Sequence, residues 1–255
     1  EWIFARTGMR ERRIAAPEEA TSDLCIAAGR RALEDAGAEP GSVDLVIVAT
    51  VTPDHLVPAT ACLVQTALGL ERAGAFDMEA ACSGFVSAVS VAHGMIASGS
   101  VNRVLVIGGE CMSRIVNYED RTSCILFGDG AGAAVLGIDA PRGEICDTFL
   151  GADGSGGHSM IVPAGGSRRP VDHQAVEERA QYLIIRGNEV FKFAVSKFRE
   201  LVERQLDRFG MSGKDLSLVI PHQVNSRIIE SALKKIDVDL DRVYMNLQNY
   251  GNTSG

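Results

Sequence analysis

The sequence predicts an α/β fold: a mostly parallel sheet covered by helices, built as one unit used twice. Three observations point there. Apolar, β-branched runs alternate with helical periods. A stretch in the first half reappears in register in the second. Each copy ends in a turn of small residues where a strand hands over to a helix.

Residues 21–36 carry helical spacing, with Thr21 or Ser22 as N-cap and Gly37 as the stop. Residues 43–51 (VDLVIVATV) form a continuous apolar run, the pattern of a strand covered on both faces. A short helix is predicted over 60–69, and strands over 74–78, 103–108 and 131–138. Between the 74–78 and 103–108 strands, apolar residues surround a helix beginning at Phe85 on all sides, so burial is expected all round. Residues 189–209 form the clearest amphipathic helix, with Phe191, Ala194, Val195, Phe198, Leu201, Val202 and Phe209 on one side. A strand over 216–221 and a helix over 225–236 follow.

The internal repeat aligns Gly37 to Val48 (GAEPGSVDLVIV) with Gly210 to Pro221 (GMSGKDLSLVIP) without a gap. The expected halves are residues 1–140 and 141–255. The small-residue turn is Ala81-Cys82-Ser83-Gly84 in the first and Gly251-Asn252-Thr253-Ser254-Gly255 in the second.

Composition narrows the functional classes. The chain has 255 residues, 46% hydrophobic and 23% charged, enough for a sizeable core. A formal net charge of −8 excludes a global basic field for nucleic acid. No apolar run is long enough for a membrane helix. The six cysteines lack CxxC spacing, which suits reduced, buried thiols in a cytoplasmic protein, and the histidines show no metal spacing.

Cys82 is the sharpest candidate. A strand runs into its turn and a helix leaves it, so the thiol sits where helix amides and dipole favour a thiolate. The alternative is a packing cysteine. His222 stands at a predicted strand end, where sites collect in parallel sheets; the alternative is a histidine bonded beside a turn. For Asn252 the alternative, a plain turn residue, is the stronger reading of the residues alone. The run Phe127-Gly128-Asp129-Gly130-Ala131-Gly132 is neither a P-loop nor GxGxxG opening a helix, and is expected to be a tight turn feeding a strand.

Taken together, these stretches resemble the 3-oxoacyl-[acyl-carrier-protein] synthase III family of thiolase-like condensing enzymes. The matching segments are Glu1-Trp2-Ile3, Arg6-Thr7-Gly8-Met9-Arg10-Glu11-Arg12, Ala80-Ala81-Cys82-Ser83-Gly84-Phe85 and Phe127-Gly128-Asp129-Gly130-Ala131-Gly132-Ala133-Ala134. They continue with Ala152-Asp153-Gly154-Ser155, Gly187-Asn188-Glu189-Val190-Phe191-Lys192, Pro221-His222-Gln223-Val224-Asn225 and Gly251-Asn252-Thr253-Ser254.

The resemblance implies a five-layered αβαβα fold of two duplicated halves. It places the family's first strand before Glu1 and its closing helix and strands after Gly255. It implies that Cys82 takes an acyl group from acyl-CoA and passes it to malonyl-[acyl-carrier-protein] with loss of CO2, His222 and Asn252 stabilising the enolate. No cofactor or metal is implied, and a homodimer is. Trp2, Arg6, Thr7, Arg121, Gly187, Asn188 and Asn225 are implied to contact CoA and its pantetheine. Val57 and Phe127 are implied for the acyl pocket, Val57 standing where members often place a dimer-contributed Phe. Gln223, Arg227, Lys234 and Lys235 are the expected carrier-protein docking residues. A secondary-metabolite condensing enzyme or a non-catalytic partner subunit shares much of this pattern.

Overall fold

A computed structural model describes residues 1–139, 142–234 and 236–255. In chain order its elements are α1 (Trp2–Thr7), α2 (Thr21–Ala36), β1 (Leu45–Ala49), α3 (Thr60–Ala67), β2 (Gly74–Met78), α4 (Gly84–Ala97), β3 (Arg103–Glu110) and β4 (Gly130–Gly137). There follow β5 (Met160–Ile161), α5 (His173–Glu177), β6 (Ile184–Ile185), α6 (Gly187–Phe209), α7 (Ser226–Leu233) and α8 (Leu247–Tyr250). They pack as two compact units that interleave along the chain. A sheet unit comprises Ile14–Arg114, Asp129–Ala152 and Thr253–Gly255; a helical unit comprises Glu1–Arg13, Ile115–Gly128 and Asp153–Asn252.

The sheet unit has strand order β2-β1-β3-β4. β2, β1 and β3 run parallel, with Val46 between Ala75 and Leu105; β4 pairs antiparallel with β3. The predominantly parallel expectation holds for three strands, and the glycine-rich run supplies the antiparallel fourth. β1 is buried along its whole length. Its alternate residues feed two cores: Val46 and Val48 pack with Cys25 and Leu33 of α2, Val64 of α3 and Leu68 just after it, while Leu45, Ile47 and Ala49 pack with Ala88 and Ala92 of α4. At ~1.5–3 kcal/mol per buried aliphatic side chain, this strand is a main anchor of the unit.

Two expectations change here. Thr21 and Ser22 do not cap α2. Thr21 donates to the Thr52 carbonyl (2.5 Å), and the Ser22 amide and hydroxyl both donate to Asp54 (2.8 and 2.6 Å). The cap falls on Ala20, whose amide is taken by Asp23 (2.8 Å). α4 is covered on one side only: Gly84, Ala88 and Ala92 are buried against the sheet, while Val86 is exposed.

In the helical unit, α6 and α7 pack around Met9, Leu206, Ile229, Leu233, Ile236 and Leu247. The repeat is visible in the backbone. Gly37 closes α2 and Gly210 closes α6, both left-handed (φ 58° and 62°); each is followed by a 3-10 turn, Pro40–Ser42 and Gly213–Asp215, at the same offset. The register then reaches Val46, which pairs in parallel with Ala75, and Val219, which bridges in parallel to Val243. The predicted strand over 216–221 shrinks to that bridge. Pro221 has no amide to donate, and Leu218 and Ile220 project into solvent instead of a core. Among the described residues no helix is long and apolar enough to cross a membrane.

Candidate active site

Cys82 lies in a 3-10 turn, Ala81–Ser83, between the carboxyl end of β2 and the first residue of α4. The turn is tight enough to force Ala81 to a φ of 46°, a region L-residues avoid. Gly84 permits it, since a side chain there would press on Ala49 at 3.0 Å. The Cys82 sulfur is partly buried and lies 4.0 Å from the Ser254 hydroxyl. Contrary to the thiolate expected from the sequence, the thiol pKa is raised. Burial is the main cause and the Glu110 carboxylate adds to it; the Ser254 hydroxyl opposes them. At rest the sulfur holds its proton.

Two carboxylates in this unit escaped the sequence reading. Asp129, buried beside the glycine-rich turn, accepts from the Ala15 amide and from the Ser113 amide and hydroxyl (2.8, 2.8 and 2.6 Å). Its place between two glycines was the available signal. Glu110, at the end of β3, is fully buried and accepts from the hydroxyls of Thr50 and Thr52 and the amides of Val51 and Thr52. A carboxylate after an apolar run reads as a strand leaving the core, and nothing in the pattern marks it.

In the helical unit, His222 is exposed at the surface, yet the protein crowded around its ring strips hydration and lowers its pKa to about 4, so the imidazole is neutral near pH 7. Asn252 is buried and locked by its backbone: its amide donates to the Leu126 carbonyl (2.9 Å) and its carbonyl accepts from Gly128 (3.0 Å). A side chain at Gly128 would overlap the Tyr250 carbonyl, and one at Gly251 would meet the Leu126 carbonyl at 2.8 Å, which explains glycine at both. Phe127, buried beside this turn, bridges to Asn252.

Trp2, Arg6 and Arg121 converge. The Arg6 and Arg121 guanidinium carbons stand 4.7 and 5.2 Å from the centre of the Trp2 ring, and with Thr122 and Ile125 they line a cleft of about 760 Å³. Thr7 is buried, its hydroxyl donating to the Ile3 carbonyl (2.8 Å). Gly187 and Asn188 lie exposed at the amino end of the 23-residue α6. Asn225 caps α7 by accepting from the Arg227 amide (2.9 Å) and reaches the Arg6 carbonyl (3.4 Å).

The expected docking residues diverge. Arg227 is exposed but anchored to the Ala5 carbonyl (2.9 Å). Gln223 donates to the carbonyls of Pro221 and Tyr244 and accepts from the amides of Asn246 and Leu247, which fills all four of its hydrogen-bonding places. Lys234 is exposed; Lys235 lies outside the described residues. Val57 stands 84% exposed on the loop after β1, next to an equally open Leu56. The cysteines are all unpaired, but two of them, Cys62 and Cys146, are exposed and not buried as expected.

The sequence profile described as 3-Oxoacyl-[acyl-carrier-protein (ACP)] synthase III matches residues 76–154, and the one for its C-terminal part matches residues 206–255. The chain is 50% identical over 254 residues to the beta-ketoacyl-[acyl-carrier-protein] synthase III of Caldanaerobacter subterraneus subsp. tengcongensis, covering 100% of this chain and 77% of that protein. The crystal structure of 3-oxoacyl-[acyl-carrier-protein] synthase III from Aquifex aeolicus VF5 superposes with a TM-score of 0.88 at 40% identity, over 99% of this chain and 77% of that one. The priming beta-ketosynthase of the R1128 polyketide biosynthetic pathway superposes at 0.85 with 36% identity, over 99% and 75%.

The scaffold and the profile matches define a condensing acyltransferase of thiolase-like fold. The chain belongs to the 3-oxoacyl-[acyl-carrier-protein] synthase III family, the condensing enzymes that initiate fatty-acid synthesis.

Proposed function

We propose that Cys82 is the nucleophile of this synthase, with His222 and Asn252 as its polar partners. The observation that carries the reading is the forced turn at Ala81, which presents a cysteine sulfur between the end of β2 and the start of α4.

In the first half-reaction the sulfur gives up its proton and attacks the carbonyl carbon of an acyl-CoA thioester. The carbon–sulfur bond to CoA breaks, and CoA leaves as a thiolate that takes up a proton. In the second, malonyl-[acyl-carrier-protein] loses CO2 and its electron pair passes to the α-carbon. That carbanion attacks the acyl-Cys82 carbonyl and expels the Cys82 thiolate, giving 3-oxoacyl-[acyl-carrier-protein]. A neutral imidazole N–H on His222 and the Asn252 amide donate to the thioester oxygen as it becomes an enolate, so they act where charge develops.

We place the CoA adenine at the Trp2–Arg121 cleft, with Arg6 and Thr7 by the nucleotide and Gly187, Asn188 and Asn225 along the pantetheine. Val57 and Phe127 are read as acyl-pocket residues, Val57 acting across a homodimer; its exposure and that of Leu56 support a partner there. Arg227 and the Lys234 end of α7 are the basic groups we assign to the acidic carrier protein. We keep residues 1–140 and 141–255 as the duplicated halves, supported by the matched glycine caps, and a reducing cytoplasm, supported by six unpaired thiols.

The test is intact-protein mass spectrometry after exposure to a panel of acyl-CoAs, in wild type and Cys82→Ala. One acyl group on the wild type and none on the variant is expected. An unlabelled wild type, or a variant labelled equally, rules the reading out. The panel also separates a fatty-acid primer from one suited to a polyketide pathway.

A further inference from the structure

Glu110 is a buried carboxylate that the reaction above does not use. It closes β3 at the carboxyl edge of the parallel strands, where ligands gather in such sheets. One oxygen, Oε2, accepts from the Thr52 hydroxyl (2.6 Å), the Thr50 hydroxyl (3.1 Å) and the Thr52 amide (3.1 Å), and both oxygens lie 3.1 Å from the Val51 amide. Burial pushes the carboxyl's pKa up, and the four donors, two of them amides that cannot accept, oppose that shift by favouring the ionised form. Among the described residues no basic side chain forms an ion pair with it. Its other oxygen, Oε1, turns towards the Cys82 turn. A side chain built at Gly255 would lie 3.6 Å from that oxygen and 3.5 Å from the Ala81 carbonyl, so one small space separates the carboxylate from the backbone beside the sulfur.

Ser254, the residue before Gly255, is buried in the left-handed conformation (φ 64°), and its hydroxyl faces the sulfur at 4.0 Å. Thr253, just before, lies where a side chain on Gly130 would meet it at 3.2 Å, so the bend is packed from behind. The Glu110 charge also reaches Cys25 on α2, whose own charged neighbours are Asp54 and Asp77, while Asp129, Arg114 and Asp54 act on Cys111.

We propose that Glu110 and Ser254 are an opposed pair of positioning residues for Cys82: the carboxylate holds the Thr50–Thr52 segment and sets a negative group facing the backbone of the Cys82 turn, while the hydroxyl donates to the sulfur once the proton has left. This rests on the reading of Cys82 as nucleophile, but its test does not require turnover. The pair keeps the thiol protonated at rest, protected from adventitious alkylation and oxidation, and gives the thiolate a donor when it is formed or expelled.

The experiment is the pH dependence of Cys82 alkylation by iodoacetamide in the full chain, read at that residue by peptide mass spectrometry. Glu110→Gln keeps an acceptor for the Thr50–Thr52 donors and turns its amide towards the Ala81 and Ala49 carbonyls. Its alkylation limb is expected to move to lower pH, with the rate at pH 7 rising roughly 3- to 10-fold. Glu110→Asp retains the charge and is expected to leave the limb in place. Ser254→Ala is expected to move it the other way, to higher pH. No movement in Glu110→Gln, movement of both Gln and Ala variants in one direction, or an Asp variant that behaves as Gln overturns the proposal. Should Glu110→Gln fail to fold, Ser254→Ala alone decides: an unmoved or lowered limb overturns the pair. Failure of acyl transfer with the alkylation shifts intact would instead count against Cys82 as nucleophile.

Discussion

The guanidinium of Arg121 stands 5.2 Å from the centre of the Trp2 ring. A flat base stacked between two planes needs about 7 Å, twice the ~3.5 Å of a carbon contact. The pair is therefore closed too far to hold adenine as it stands, and Arg121 must swing out by about 2 Å for a ring to enter. Trp2 is the only tryptophan in the chain, so its fluorescence reports this site alone. Titration with CoA is expected to quench it. Trp2→Ala is expected to raise KM for acyl-CoA about 10-fold, the effect of ~1.4 kcal/mol of stacking, with kcat changed far less. An unquenched wild type, or a loss confined to kcat, removes the adenine from this cleft.

His222 and Asn252 are assigned to the enolate and not to the first acyl transfer, so the two half-reactions should separate. His222→Ala and Asn252→Ala are each expected to slow malonyl decarboxylation by about 10² to 10³-fold, the range for losing one donor to a developing oxyanion. Acylation of Cys82, followed by mass spectrometry in a single turnover, should persist in both. Equal collapse of both steps would place these side chains in the activation of the sulfur instead.

The two perturbed groups give the pH profile its sign. Cys82 has a raised pKa, so near neutrality only a small fraction is thiolate. In His222→Ala, acylation should climb about tenfold per pH unit and show no plateau by pH 9. His222 has a lowered pKa, so it stays neutral as pH falls through the ordinary histidine value of 6.5. Decarboxylation by pre-acylated enzyme should therefore hold its rate from pH 8 down past 6.5 and fail only below it. An acid limb centred at or above 6.5 contradicts the neutral donor.

Local signals carried the sequence reading well where chemistry was local. The β2 strand falls on 74–78 as expected, since its ends are set by a glycine and by the turn that follows. The glycines at 37 and 210 stop their helices because the left-handed position suits no other residue as well. What escaped depends on residues far apart in the chain. Thr21 and Ser22 look like caps, but Thr52 and Asp54, about thirty residues away, claim their hydroxyls. Apolar residues on every side of α4 suggested complete burial, whereas the sheet covers one face. The dipole argument at Cys82 leaves out desolvation and the Glu110 charge, neither visible in one dimension, and these raise its pKa.

The packing of β3 against α2 offers a stringent test of the sheet unit. Gly109 lies on β3 beneath α2, and a side chain there would overlap the Cys25 sulfur while sitting 3.3 Å from the Ala131 side chain. Cys25 is fully buried, so it has nowhere to retreat. Gly109→Ala is expected to cost about 2–3 kcal/mol through overpacking, and Cys25→Ala about 1–2 kcal/mol through lost burial. The double variant removes the colliding atom and leaves a tight 3.3 Å approach to the Ala131 side chain, which has to give by only a few tenths of an ångström. Its cost should lie close to that of Cys25→Ala and well below the sum, a coupling of about 2 kcal/mol read by urea denaturation. Additive losses would mean that Gly109 is required for some reason other than the sulfur above it, and that the α2–β3 contact is not set as described.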